Sequence, residues 1–195
     1  NIFLTFEQDN EVKAICIGVE GRELWTRVVC QTKGKGNGEK TFASPTPSSD
    51  GKLVFVTSGT GEVVAFDLVG VEKWRFNAQE RYGKFRYGFG FHSTTVLHEG
   101  RLYLQLIHSA AQLVVCVEAN SGKEVWKVER ESDGVAECEH SYASPTVYRE
   151  GDQNFLITHG NDYCIGHDPV TGKELWRVAG LNPKNQYNRT LRFVA

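Results

Sequence analysis

The sequence predicts an all-β protein in which one four-stranded antiparallel unit is copied along the chain. Three observations predict it. Four tryptophans, Trp25, Trp74, Trp126 and Trp176, stand 49, 52 and 50 residues apart, and each lies four residues after a glycine: Gly21, Gly70, Gly122 and Gly172. The words agree, as in Gly21-Arg-Glu-Leu-Trp25, Gly70-Val-Glu-Lys-Trp74, Gly122-Lys-Glu-Val-Trp126 and Gly172-Lys-Glu-Leu-Trp176. Between them run short β-branched and aromatic stretches bounded by Gly, Ser and Asp, with no sustained helical period. One fixed period means one supersecondary unit repeated, and four strands in about 40–50 residues make a β-propeller blade.

The elements follow in order. Residues 1–29 read as a partial blade, because residues 1–6 already look like a second strand. A full blade spans 42–76: it opens on Phe42-Ala-Ser-Pro-Thr46, continues through Leu53–Thr57 and Val63–Phe66, and closes on Glu72–Phe76. The next, 91–128, opens on His92–Val96, and the third, 142–178, on Ala143–Val147. Residues 191–195 read as the start of another. Pro45 and Pro145 fall in opening strands, where the innermost edge of a blade tolerates proline. The expected object is an open arc of three complete blades with pieces of two more, a fragment of a propeller of about 6–8 blades. The lack of any methionine points the same way. Uncovered blade faces should make the chain self-associate.

The turns before the tryptophans are specific. Asp168-Pro-Val-Thr-Gly-Lys-Glu-Leu-Trp176 resembles the tryptophan-docking motif of the pyrroloquinoline quinone (PQQ)-like repeat family, the quinoprotein type of propeller, and the Ala-Ser-Pro-Thr words fit it as well. The resemblance recurs in every unit. No Trp-Asp closing dipeptide points to WD40 and no Gly-Gly pair to kelch. The resemblance implies that each tryptophan packs between blades with its ring nitrogen on a backbone carbonyl, a structural role suited to a large aromatic with one donor. It also implies export to a periplasmic or extracellular site.

Composition narrows the partners. A net charge of −2 gives no reason to expect nucleic acid, and no apolar run approaches the roughly 18 residues of a membrane span. The five cysteines show no metal-finger spacing. Aligned on the repeat, Cys16, Ala65, Cys116 and Gly166 share one position, and Cys164 aligns with Val63 and Val114, so these read as small core residues. Cys30 and Cys138 are expected in connections.

Loop lengths carry the functional signal. The inter-blade connections Cys30–Lys40, Asn77–Gly90, Glu129–His140 and Ala179–Leu191 are long, whereas the turns on the other face are tight. Long loops on a rigid scaffold are where binding usually resides. Lys33, Lys35 and Lys40 make the first connection basic. Arg81, Lys84 and Arg86 alternate with Tyr82, Phe85, Tyr87 and Phe89 in the second, and the third is acidic, with Glu129, Glu131, Asp133, Glu137 and Glu139. Two readings stand: solvated loops of mixed charge, or an aromatic-lined groove for a protein segment, a peptide, a glycan or a small acidic ligand. The contact candidates are Arg86, Tyr87, His92, Glu139, His140 and His159. Cys138, His140, His159 and His92 could form a metal site or a set of channel-mouth polar groups held by hydrogen bonds, and the second reading is taken.

The expected function is a non-catalytic binding or scaffold propeller with no cofactor. The alternative is a PQQ-dependent dehydrogenase. The resemblance implies that such an enzyme needs a disulfide between adjacent cysteines, Ca²⁺ held by Glu and Asn, and an Asp base. This chain has no adjacent cysteines, and every tryptophan is already explained by the repeat.

Overall fold

The computed structural model describes residues 1–32, 41–160 and 163–181. Lys33, Lys35, Lys40 and residues 191–195 lie outside the described residues. Strands β1 (Ile2–Gln8), β2 (Glu11–Ile17) and β3 (Glu23–Gln31) form a three-stranded sheet. Three four-stranded sheets follow. They are β4 (Ser48–Ser49), β5 (Leu53–Thr57), β6 (Glu62–Asp67) and β7 (Glu72–Asn77); β8 (Val96–His98), β9 (Arg101–His108), β10 (Ala111–Glu118) and β11 (Glu124–Glu129); and β12 (Thr146–Glu150), β13 (Gln153–Gly160), β14 (Tyr163–His167) and β15 (Glu174–Val178). Each sheet is an antiparallel meander in chain order. One short helix, α1 (Ala78–Tyr82), begins the connection after β7, with Asn77 as its N-cap. Cys30 lies inside β3 rather than in a connection, and Cys138 lies in a 3₁₀ turn at Ala136–Glu139.

The repeat is exact in register. Trp25, Trp74, Trp126 and Trp176 pair across the ladder with Cys16, Ala65, Cys116 and Gly166, and a bulge follows each pair on the third strand. A small residue is required there because the indole lies over it. The first three rings then reach the next sheet: Trp25 Nε1 donates to the Leu68 carbonyl at 3.0 Å, Trp74 to Ala119 at 2.9 Å and Trp126 to Pro169 at 3.2 Å. The glycines of those turns serve twice. Gly70, Gly122 and Gly172 take φ of 82°, 66° and 77°, and a Cβ on them would stand 2.9, 2.7 and 2.6 Å from the preceding blade's indole. Trp25 is buried, whereas the other three are half-buried, less than expected.

The core lies between sheets. Val12, Ala14, Cys16 and Trp25 face Val54, Val56, Val64 and Phe66. Phe55, Ala65 and Phe76 face Leu102, Leu104, Leu106 and Val115. The third interface is more polar: Arg130, buried, donates from Nε to Thr158 Oγ1 at 3.2 Å and from an Nη to the Gly160 and Tyr163 carbonyls, while Thr158 meets His167 Nε2 at 3.0 Å. Burial lowers the pKa of His167, and Arg130 is lowered to about 10, again mainly by desolvation.

The opening strands differ from expectation. They begin at Ser48, Val96 and Thr146, later than Phe42, His92 and Ala143. The preceding segments bond sideways, to neighbouring blades, although Ser141 Oγ also donates to the His159 carbonyl of its own second strand at 2.6 Å. Thr46 N donates to Thr94 Oγ1 at 3.0 Å, Thr94 N to Ser144 Oγ at 2.9 Å, and Thr5 Oγ1 to the Ala43 carbonyl at 2.9 Å. Proline at 45 and 145 supplies no N–H to a ladder, so β-propensity alone overestimates the strand here.

Candidate functional site on the connection face

The long connections and the second-to-third strand turns share one face, as an up-and-down meander requires. Gln79 Nε2 donates to the Thr60 carbonyl at 2.8 Å, Ser109 Oγ to the Arg86 carbonyl at 3.2 Å, and Gln112 Nε2 to the Glu139 carbonyl at 3.0 Å. Phe85 lies over Gly61, where a Cβ would come within 3.2 Å of its ring. Arg86 and Glu139, from two different connections, are thus fastened by their backbones to the ends of a single turn between β9 and β10. The Arg86 side chain is exposed and that of Glu139 half-buried.

Between them lies a plate of aromatic and imidazole rings. Tyr87 is its centre: its ring centroid is 4.8 Å from His108, 5.6 Å from Phe85, 5.7 Å from Phe91, 6.1 Å from Tyr142 and 6.2 Å from His140. Tyr142 also meets Phe89 at 6.0 Å and His92 at 6.1 Å. Edge-to-face and tilted contacts at such separations are favourable beyond the area they bury. Hydrogen bonds join the two connections: Gly88 N donates to His140 Nδ1 at 3.4 Å and Phe89 N to the Tyr142 hydroxyl at 3.3 Å, while His92 Nε2 bonds the Phe89 carbonyl at 2.8 Å. The plate is exposed at Phe89, 54% accessible, and borders a cavity of about 500 Å³ lined by Phe42, Gln79, Lys84, Phe85, Tyr87 and Phe91. A larger hollow of about 710 Å³ is lined by Tyr82, by residues 109–113 at the same β9–β10 turn, and by Lys127, Glu129, Arg130, Glu131 and Ser132.

The structure therefore brings Tyr87, His92 and His140 together and sets Arg86 and Glu139 at the rim. It moves His159. Sequence spacing places this residue in the turn, but it lies in β13 and is 0% exposed. Register explains why. His159 pairs with Cys164 as Thr5 pairs with Ala14, Thr57 with Val63 and Gln105 with Val114. Those three residues bond the segment leading into the next blade: Thr5 to Ala43, Thr57 to Thr95 Oγ1 at 2.6 Å, and Gln105 to Ser141 Oγ at 2.8 Å. His159 occupies a blade-stapling position.

Tyr142, Phe91 and His108 belong to the plate and were not singled out as contact residues. Their signal was weak: each stands at the edge of a β stretch, where an aromatic or histidine reads as core. His108 accepts from Ala110 N at 3.2 Å, and burial, with His140 nearby, lowers its pKa to about 4, so it is neutral near pH 7. Burial raises the Tyr87 phenol. These are hydrogen-bonding and stacking groups rather than ionised ones.

None of the five cysteines is in a disulfide, and Cys30 Sγ lies 3.1 Å from Thr60 Oγ1; among the described residues no three His, Cys, Asp or Glu side chains are grouped to hold a cation. Among the described residues no helix is long and apolar enough to cross a membrane.

The family model for the outer membrane protein assembly factor BamB, a PQQ-repeat model, matches residues 8–177. The chain belongs to this family. BamB from Moraxella catarrhalis is similar in structure, with a TM-score of 0.52 and 14% identity over 89% of this chain and 47% of that one. The quinohemoprotein alcohol dehydrogenase of Comamonas testosteroni has a TM-score of 0.60 at 13% identity, covering 90% of this chain and 34% of the enzyme. The quinohemoprotein alcohol dehydrogenase ADHIIG of Pseudomonas putida HK5 has 0.57 at 14%, covering 92% and 34%. No curated protein matches significantly in sequence. The fold is a β-propeller of PQQ-like repeats, and the chain spans about half the length of that BamB and a third of the dehydrogenases.

Proposed function

We propose that this BamB-family chain is a non-catalytic binding and scaffold propeller that takes extended protein segments on its connection face. The observation that carries the reading is the half-exposed plate of Phe85, Tyr87, Phe89, His140 and Tyr142 beside the 500 Å³ cavity, with Arg86 at its rim. Rigid aromatics flanked by arginine are the groups that dominate protein recognition. The family's name, an outer membrane protein assembly factor, supports a protein as the occupant, and it supports export, to a periplasmic or extracellular site. Glycans also stack on aromatic faces and are the second probe.

The test is titration of the chain with peptides of alternating aromatic and polar residues, the pattern of outer-membrane strands, and with a panel of soluble oligosaccharides. Peptide binding is expected, weakened about tenfold (about 1.4 kcal/mol) by Arg86→Ala and by His140→Ala. If both substitutions leave affinity unchanged, the face is wrong. If only sugars bind, the occupant is wrong. Reconstitution with PQQ and Ca²⁺ is expected to give no alcohol- or sugar-dependent dye reduction, and cofactor-dependent turnover would move the assignment to a quinone-dependent dehydrogenase.

A further inference from the structure

The cavity of about 500 Å³ has walls that are set before anything enters it. Gln79 fastens two of them, donating from Nε2 to the Thr60 carbonyl at 2.8 Å and accepting on Oε1 from Phe85 N at 2.9 Å. Phe42 is held from both sides: its N–H donates to Glu7 Oε2 at 3.1 Å, and its carbonyl accepts from Gly59 N at 2.7 Å. A Cβ on Gly59 would stand 3.0 Å from Phe42 Cα and 3.2 Å from the Phe91 carbonyl oxygen, so no side chain fits between those walls. The rings of Phe85 and Phe91 meet at 5.0 Å between centroids. Walls fixed in advance spare a ligand the cost of ordering them, and an apolar pocket of this kind suits a ring.

The unpaired charge at this cavity has one sign. Lys84 is the one charged residue of its described lining, and Arg86 follows two positions later. Both side chains are exposed, and among the described residues neither is in an ion pair. The carboxylates that touch the walls are already engaged. Glu7 accepts from Thr32 Oγ1, Thr41 Oγ1 and Phe42 N, and Glu11 accepts from Gln31 Nε2 and pairs with Lys13. Glu80 lies in the first turn of α1, outside the lining. The larger hollow is different, because Glu129 and Glu131 stand in it beside Lys127. Glu139 is fastened to Gln112, at the other end of the β9–β10 turn from Arg86.

On the reading of this face as one that takes extended protein segments, we propose that its occupant is an acidic–aromatic segment. A ring enters the cavity among Phe42, Phe85, Tyr87 and Phe91, and a neighbouring carboxylate pairs with Lys84 at the lip and with Arg86 beside it. Lys84 is then the residue that sets specificity. In an extended segment alternate side chains share a face, so the ring and the carboxylate stand two residues apart.

The test is fluorescence titration of the 195-residue chain at low ionic strength with labelled peptides of the repeats Phe-Ser-Asp-Ser, Phe-Ser-Asn-Ser, Phe-Ser-Lys-Ser and Ala-Ser-Asp-Ser. The first should bind about fivefold tighter than the second, and the lysine and alanine peptides most weakly. The preference for aspartate should shrink in molar salt. Lys84→Gln, at an exposed position, should reduce that preference below about twofold while the asparagine peptide binds as before. Lys84→Glu should favour the lysine peptide over the aspartate one. Lys127→Gln, in the larger hollow, should leave the order unchanged. If the phenylalanine peptides bind equally well and lose affinity on Arg86→Ala and His140→Ala, the face stands and this proposal is overturned. It is overturned too if the alanine peptide binds as well as the aspartate one, if the aspartate preference survives Lys84→Gln, or if Lys127→Gln abolishes it. No binding by any peptide, or binding indifferent to Arg86→Ala and His140→Ala, overturns the face and this proposal together.

Discussion

Gly172→Ala, compared with Gly100→Ala, isolates the energy of tryptophan docking from the cost of the backbone. The two glycines share a left-handed conformation, with φ of 77° and 74°. Alanine pays about 1–2 kcal/mol for that conformation at either site. At Gly100 nothing else happens, since a Cβ meets no atom within 4 Å. At Gly172 it would stand 2.6 Å from Trp126 Cε3, where carbon atoms pack at about 3.5–4.0 Å, so the indole must retreat by about 1 Å. That displacement breaks the 3.2 Å bond from Nε1 to the Pro169 carbonyl, worth about 0.5–1.5 kcal/mol, and disturbs packing by about 1–3 kcal/mol. Removing the ring altogether, Trp126→Ala, sets a ceiling of about 3–5 kcal/mol for the docking energy. Urea unfolding at one fixed protein concentration should therefore show Gly100→Ala costing about 1–2 kcal/mol and Gly172→Ala about 2 kcal/mol more. In a Trp126→Ala background, Gly172→Ala should fall back to the backbone cost alone. Equal costs for the two single substitutions, or an undiminished cost without the ring, would refute the docking account.

Two further outcomes follow from the buried polar groups. Arg130→Ala leaves Thr158 Oγ1 and the Gly160 and Tyr163 carbonyls without this donor. Thr158 Oγ1 keeps His167 Nε2, so the loss should be about 1–3 kcal/mol for each carbonyl left unpaired and should loosen the fourth sheet selectively; uniform hydrogen-exchange protection across all sheets would count against that. The imidazoles of His108 and His167 are held below their ordinary pKa of 6.5 by burial, His108 at about 4. The unfolded chain takes up these protons first, so stability is full above about pH 6.5 and falls as the pH drops towards 4. Urea midpoints at pH 7.5 and 4.5 should show this loss, and His108→Asn should reduce it; an unchanged pH slope in that variant would mean other groups set it.

The aromatic plate and the blade faces differ in how well a linear sequence can report them. The Gly-x-x-x-Trp words repeat because every blade meets the next in the same way. A small residue opposite each indole, at Cys16, Ala65, Cys116 and Gly166, was readable from alignment of the repeat alone, as were the meander topology and the shared face of the connections. The lead-in segments were misread because Thr46 and Thr94 have strand propensity yet spend their N–H groups on neighbouring blades. Propensity describes a residue's own backbone and is silent about partners some 50 residues away. His159 was misplaced for a related reason. Spacing located it near a turn, while only the register of β13 against β14 showed it in the line of Thr5, Thr57 and Gln105.

The sequence by itself determined the all-β repeat, the identity of the docking residues and the chemical character of each connection, because these depend on period and composition. Tertiary structure alone decided that Tyr87, His108, His140 and Tyr142 form one plate. The physical reason is that a site between blades is assembled from residues far apart in the chain. Which of their side chains meet is set by the packing of successive sheets, and that packing is not written in any single repeat.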